Sequence, residues 1–301
     1  MRLRSLGPWV TTFALFFPLA CSSSEPAAVA SGADASTATD DASIDAGTDA
    51  AKATSSKGSG GVTCASQGDL GGGRSYCLGN EGGSEFKLLE PAPASGPLRL
   101  ALYLHGDGAA AHVNDGAMKA LLAWADAHHA LFVSVLSPNR CAWWQAASQT
   151  DCSASATPVA DTNGDNADAL RAVIDKVRAG FDVSFGPAFY YGSSGGSIFL
   201  TKSFLRRFGD KYPGVFALNC GGEKASLALG WNTNDAALRG PTKLYFTYGD
   251  QDFLKPDIEK AIPYWTAQGF PVDTKVIAGA QHCAFDGHGR AREVWSAFLG
   301  E

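Results

Sequence analysis

Apolar positions in this chain fall into two recurring periods. Short apolar runs at Leu98–Leu104, Leu131–Leu136, Ala188–Tyr191, Val215–Asn219, Leu244–Tyr248 and Thr274–Ile277 predict strands. Most lack the polar alternation of a half-exposed strand, so burial on both faces is expected. Between them the spacing turns helical. Met118, Leu121, Leu122 and Trp124 gather on one face within His112–His128, as do Leu170, Val173, Ile174 and Val177 within Asp165–Ala179. Gly196–Phe208, Pro256–Gln268 and Arg290–Leu299 predict further helices. Phe86–Glu90, ahead of a Pro-rich turn, predicts an edge strand. Cys141–Asn163 is polar and irregular apart from Trp143 and Trp144. Strands alternating with helices predict the α/β class, with a mostly parallel central sheet and helices on both faces.

This pattern begins only near Val62. Before it, Arg2 and Arg4 precede an apolar stretch from Trp9 to Leu19 that is too short to cross a bilayer comfortably, which predicts a signal peptide over 1–20. Ala20-Cys21 followed by serines resembles a bacterial lipoprotein signal, although Pro18 stands where that pattern prefers an aliphatic residue. The resemblance implies an exported chain lipidated at Cys21, at the cell surface or outer membrane, whose only membrane contact is this anchor; plain secretion is the alternative. Residues 21–61 are Ala, Ser, Thr, Asp and Gly with almost no large apolar side chain. Such a segment cannot bury enough surface to offset its ordering entropy, so a disordered tether is expected. That leaves 62–301 as the folded domain. The chain has 301 residues, 45% of them hydrophobic, enough for one sizeable core. The formal charge of −6 comes with no basic stripe, which argues against a nucleic-acid partner.

With Cys21 set aside, six of the seven cysteines remain, an even number in an exported chain, and disulfides are expected. Cys64–Cys77 and Cys141–Cys152 are the local pairs, leaving Cys220 and Cys283. Other connectivities, and buried free thiols, stay open. No C-x-x-C occurs, so no zinc site is indicated. Asp161-Thr162-Asn163-Gly164-Asp165 looks like the start of a calcium loop, but the twelfth position is Ala172, which supplies no ligand. A polar loop feeding a capped helix fits better, and neither a metal nor an organic cofactor is expected.

The sharpest chemical signal is Gly192-Ser193-Ser194-Gly195-Gly196, a G-x-S-x-G between a predicted strand and a predicted helix. This is the setting of a nucleophile elbow, and only Ser194 has glycine at both required positions. A serine hydroxyl needs a base, and a base needs an orienting acid. In the order Ser, Asp, His, the base lies after the last strand. His282 and His288 are the candidates, with His282 preferred; His112, His128 and His129 read as surface residues. The acid follows the preceding strand, where Asp250 and Asp252 compete and Asp252 is preferred. Two oxyanion donors are needed. Gly195 supplies one amide, and the loop His105-Gly106-Asp107-Gly108 supplies the other, from Asp107 or Gly106.

These four pieces resemble the α/β-hydrolase superfamily over nearly all of the folded part. Within it, His105-Gly106, Trp143-Trp144, Ser194-Gly195-Gly196 and Tyr212-Pro213-Gly214 resemble the polyhydroxybutyrate-depolymerase and feruloyl-esterase-like secreted esterases. The resemblance implies hydrolysis of small-molecule or polymeric esters through an acyl-enzyme, with Trp143 and Trp144 either lining an aromatic subsite or packing in the core. Peptide hydrolysis, acyl transfer and a non-catalytic surface-binding lipoprotein are the rival readings. In tannase-like relatives a disulfide joins the residue before the nucleophile to the one after the histidine. Here Cys283 matches one half of that bond and Ser193 replaces the other, so a Cys220–Cys283 bond would tie the histidine loop to the sheet instead.

Overall fold

The computed structural model describes residues 54–92, 96–153, 155–231 and 235–301. The expected signal peptide, the Cys21 lipidation site and the tether up to residue 53 lie outside the described residues.

The strands are β1 (Ser66–Gly71), β2 (Arg74–Glu81), β3 (Ser84–Leu89), β4 (Arg99–Leu104), β5 (Ala130–Val135), β6 (Ala188–Ser193), β7 (Gly214–Asn219), β8 (Lys243–Gly249) and β9 (Val272–Ile277). They form one sheet in the order β1-β2-β3-β5-β4-β6-β7-β8-β9. β1, β2 and β3 pair antiparallel, β3 pairs antiparallel with β5, and every pairing from β5 to β9 is parallel. The helices are α1 (Ala110–Val113), α2 (Gly116–Ala127), α3 (Asp165–Gly180), α4 (Gly195–Phe199), α5 (Leu205–Phe208), α6 (Ala236–Arg239), α7 (Lys255–Ala267) and α8 (Gly287–Leu299).

Strand side chains alternate between faces, and here both faces are covered. Leu100, Leu102 and Leu104 of β4 pack with α3 residues Leu170, Val173, Ile174 and Val177. Ala101 and Tyr103 of the same strand pack on the opposite face with Met118 and Leu121 of α2 and Trp295 of α8. This double burial is why the parallel strands read as continuous apolar runs. The parallel arrangement also brings the carboxyl ends of β4, β6, β7, β8 and β9 to one edge, where an open α/β sheet carries its ligand site.

Several sequence expectations need correction. Phe86–Glu90 is no edge strand: β3 is paired on both sides and nearly all buried, and the edges are β1 and β9. The β1–β2 hairpin went unpredicted because its residues are polar, Gly-rich and half exposed. Residues 54–61 share the tether's composition but are docked: Ser56 N–H donates to Val183 O at 2.8 Å and Gly61 N–H to Gly180 O at 2.9 Å. His112–His128 is two helices broken at Asn114-Asp115, and His112 is buried rather than on the surface. The predicted helix from Gly196 to Phe208 is continuous, but Leu200–Phe204 widens into a π-helical turn. Thr201 occupies that turn, donating to Ser197 O at 3.0 Å and accepting from Glu223 N–H at 2.9 Å, so groups loosened by the wider winding find partners. The polar loop before α3 does cap the helix as expected: the two oxygens of Asp161 accept the N–H groups of Gly164, Asp165 and Asn166.

Candidate active site

β6 ends at Ser193 and α4 begins at Gly195, so Ser194 is the single residue joining strand to helix. Its φ of 49° and ψ of −114° are strained for a residue with a side chain. Hydrogen bonds hold it there: Ser194 N–H donates to Asn219 O at 2.9 Å, and Ser194 O accepts from Ile198 N–H at 3.0 Å. The turn is possible only with small neighbours. A Cβ at Gly192 would approach Ser197 N to 2.6 Å, and one at Gly196 would meet His105 O at 2.8 Å. The two motif glycines are therefore steric requirements of the elbow.

The raised hydroxyl meets a histidine. Ser194 Oγ lies 2.9 Å from His282 Nε2, and His282 Nδ1 lies 2.8 Å from Asp252 Oδ1. The Asp252 side chain is fully buried. Its Oδ1 also accepts Leu254 N–H at 2.9 Å, while Oδ2 has no partner. A buried carboxylate fixes Nδ1 as the protonated nitrogen and leaves Nε2 free to accept from the serine. Asp250, the competing acid, instead accepts Gly279 N–H at 2.8 Å and shapes the turn after β9. His288, the competing base, packs edge-on against Tyr103 and Tyr191 at ring separations of 5.8 and 5.4 Å.

The loop after β4 closes over the elbow. A Cβ at Gly106 would lie 3.3 Å from Ser194 Cβ, and the carboxylate of Asp107 packs directly against Gly195. Gly106 thus packs against Ser194, and Asp107 against Gly195. His105 is buried beneath them: Ser137 N–H donates to its Nε2 at 3.0 Å, and its Nδ1–H donates to Gly106 O at 2.7 Å. Burial lowers its pKa to about 3, so the ring is neutral and serves as a strut. Trp144 Nε1 donates to both oxygens of Asp107. Trp143 does not reach the site; it is fully buried and stacks on Phe199 at 4.8 Å. Of the two tryptophans named from sequence, only Trp144 belongs to the site's surroundings.

Three disulfides are formed, Cys64–Cys77, Cys141–Cys152 and Cys220–Cys283, each with Cα atoms 5.2 Å apart. The last joins the residue after β7 to the residue after His282. Both its cysteines have positive φ, 46° and 53°. Their sulfurs and a ring nitrogen of His282 lie within 4.8 Å of one another, but sulfurs bonded to each other are not thiolate ligands. It is the pair that the two local bonds leave over in the sequence, although 63 positions separate its ends.

Comparison with solved structures bears on the architecture. A siderophore hydrolase from Aspergillus nidulans superposes with a TM-score of 0.52 at 15% identity, covering 79% of this chain and 100% of that one. A thermostable esterase superposes with a TM-score of 0.50 at 14% identity, covering 72% of this chain and 58% of that one. This chain has the α/β-hydrolase fold. No family model matches the sequence, and no curated protein matches it by sequence. Identity this low speaks for the fold alone, so the chemistry of this α/β-hydrolase fold rests on its own side chains.

The sequence pattern does not mark Tyr103, Ala111 or Phe253, which line the cleft. Phe253, next to Asp252, is 72% exposed and lies over the His282 ring at 4.4 Å. Its signal was an aromatic residue directly after the candidate acid. With Tyr103, Ala111 and Ser194 it lines an open cleft of about 470 Å³.

Proposed function

We propose that this chain is an exported serine hydrolase that cleaves carboxylic esters through an acyl-enzyme. The reading rests on one observation, the unbroken hydrogen-bonded series Ser194 Oγ, His282 Nε2, His282 Nδ1, Asp252 Oδ1 at 2.9 and 2.8 Å. His282 takes the proton of Ser194 as its oxygen attacks the carbonyl carbon. The imidazolium that forms is stabilised by the Asp252 carboxylate, then returns the proton to the departing alcohol. Water deacylates the serine by the same route in reverse. The amides of Gly195 and of Asp107 or Gly106 are the oxyanion donors, each contributing about 10²–10³ in rate. No step calls on a metal or organic cofactor. The open cleft with Phe253 at its rim accommodates an ester carrying an apolar group. Three disulfides fit an oxidising compartment outside the cytosol, in keeping with a signal peptide over 1–20 and a lipid anchor at Cys21.

The test is Ser194→Ala in the full chain, assayed on a panel of short acyl esters, phenolic esters and peptides. Turnover of the preferred ester should fall roughly 10⁴–10⁶-fold with unfolding temperature unchanged, and a fluorophosphonate should label only the parent. Undiminished ester hydrolysis by the variant would overturn the assignment. Faster cleavage of peptides than of any ester would move it to peptidases.

A further inference from the structure

Asp107 lines the cleft together with Phe253 and His282, and it also lines a neighbouring pocket of about 370 Å³ with Gln145, Asp151 and Ser153. It therefore stands where two cavities meet beside the reactive serine. Asp107 is exposed, and its two oxygens share one neutral donor, the Nε1–H of Trp144. A carboxylate can accept about four hydrogen bonds, so most of its lone pairs stay open to a ligand.

The charge around the cleft has one sign. Among the described residues, no lysine or arginine lines the cleft or the neighbouring pocket. The basic groups close by in the chain are engaged with acids: Lys87, at the end of α1, pairs with Asp115 at 2.6 Å, and Lys255, two residues after Phe253, lies 3.8 Å from Glu259 and donates to Asp250 O. Asp252 behind His282 and Asp151 in the neighbouring pocket add negative charge. Until His282 takes the serine proton, the field in the cleft is negative, and a cleft lined by one sign of charge concentrates the other. Phe253 adds an aromatic surface: it is 72% exposed, with its ring 4.4 Å from that of His282. An open aromatic ring and a carboxylate around one cleft are the chemistry that receives an ammonium group. Its methyl groups pack on the ring, and its charge is drawn to the ring and to the carboxylate. A plain apolar arm would use the ring alone, and an anionic arm would be repelled.

We infer that Asp107 and Phe253 are specificity determinants that make the cleft selective for esters carrying a cationic, ammonium-type group. This rests on the esterase reading above and names the substrate class within it.

The experiment compares kcat/KM for paired esters that differ only in charge, a trimethylammonium group against the isosteric tert-butyl group. One series carries the group on the acyl chain with a common aryl leaving group; the other carries it on the alcohol of an acetate ester, as choline against its tert-butyl analogue. The cationic member of one series should be favoured roughly 10-fold, and which series shows this tells whether the acyl or the alcohol arm meets Asp107. Raising the ionic strength should shrink the ratio. Asp107→Asn should bring it to about twofold or less; any effect of the charge on the oxyanion is common to both members and cancels. Phe253→Leu should lower the ratio about threefold. Equal kcat/KM within both pairs, or a preference that survives Asp107→Asn unchanged, overturns the selectivity while leaving the hydrolase intact. No turnover of any ester overturns both.

Discussion

Nε1 of Trp144 lies 3.1 and 3.0 Å from the two carboxylate oxygens of Asp107 and holds that carboxylate against Gly195. The position is unexpected, because negative charge on the substrate oxygen would develop beside the Gly195 amide. Burial raises the pKa of Asp107, while the Trp144 N–H and the nearby His282 favour its ionised form. The ionised carboxylate should therefore oppose oxyanion formation. Asp107→Asn keeps the shape and the backbone amide and removes the charge. Its kcat/KM should exceed that of the parent by about 5- to 10-fold above the raised pKa, and the gap should close as pH falls and the parent's carboxyl becomes neutral. A variant slower than the parent at every pH would show that the charge assists the reaction.

The Cys220–Cys283 bond sets the position of the loop carrying His282. Replacing both cysteines by alanine should remove the constraint on a span of 63 residues, at about 4 kcal/mol in the chain-entropy picture. It should also lower kcat roughly 10- to 100-fold by loosening the imidazole relative to Ser194. Thermal unfolding and steady-state kinetics on the double variant check both. Parent-like kcat would show that the loop holds its geometry without the bond.

His105 and His112 predict the acid limit of the fold. Both pKa values are lowered by burial, His105 to about 3, and His112 is pushed down further by the charge of Lys87. In the unfolded chain each ring takes up a proton near pH 6.5; in the folded chain neither does until well below that. Unfolding therefore binds protons as pH falls, and stability present above pH 6.5 is lost on acidification. Urea midpoints measured from pH 7.5 to 4.5 should decline, each histidine contributing at most about 1.4 kcal/mol per pH unit. A flat profile would mean that the buried rings titrate normally.

Lys87 is a charge inside the molecule, 5% exposed, that binds Asp115 at 2.6 Å and His112 O at 2.5 Å. These contacts pin the break between α1 and α2. Lys87→Met fills the volume but leaves Asp115 and the end of α1 without their partner. A loss of about 3–5 kcal/mol in denaturant unfolding is expected. The double variant Lys87→Met, Asp115→Leu should recover part of it, and failure to recover any would locate the cost in packing instead.

The parts of the fold legible in the sequence are those where local chemistry and tertiary role coincide. β4 through β8 were visible because strands covered on both faces must be apolar throughout. The elbow at Ser194 was visible because its backbone tolerates only glycine at 192 and 196. The β1–β2 hairpin was not, since an exposed sheet margin places little demand on side-chain type. Likewise, residues 54–61 dock through backbone groups and the single hydroxyl of Ser56, on Phe181, Asp182 and Val183, which barely marks the composition.

By itself the sequence determined the layer architecture, the order Ser, Asp, His along the chain and the candidates at each position. Only the tertiary structure decided among them. Asp252 rather than Asp250 reaches His282, because two residues of turn separate an inward carboxylate from one spent on Gly279. His288 packs against Tyr103 and Tyr191, while His282 meets Ser194. Trp143 is buried beneath the elbow, and Trp144, one residue on, meets Asp107. Neighbouring residues in a loop can point in opposite directions, and which one meets a partner many positions away depends on where the strands deliver the chain ends. No local pattern of residues carries that information.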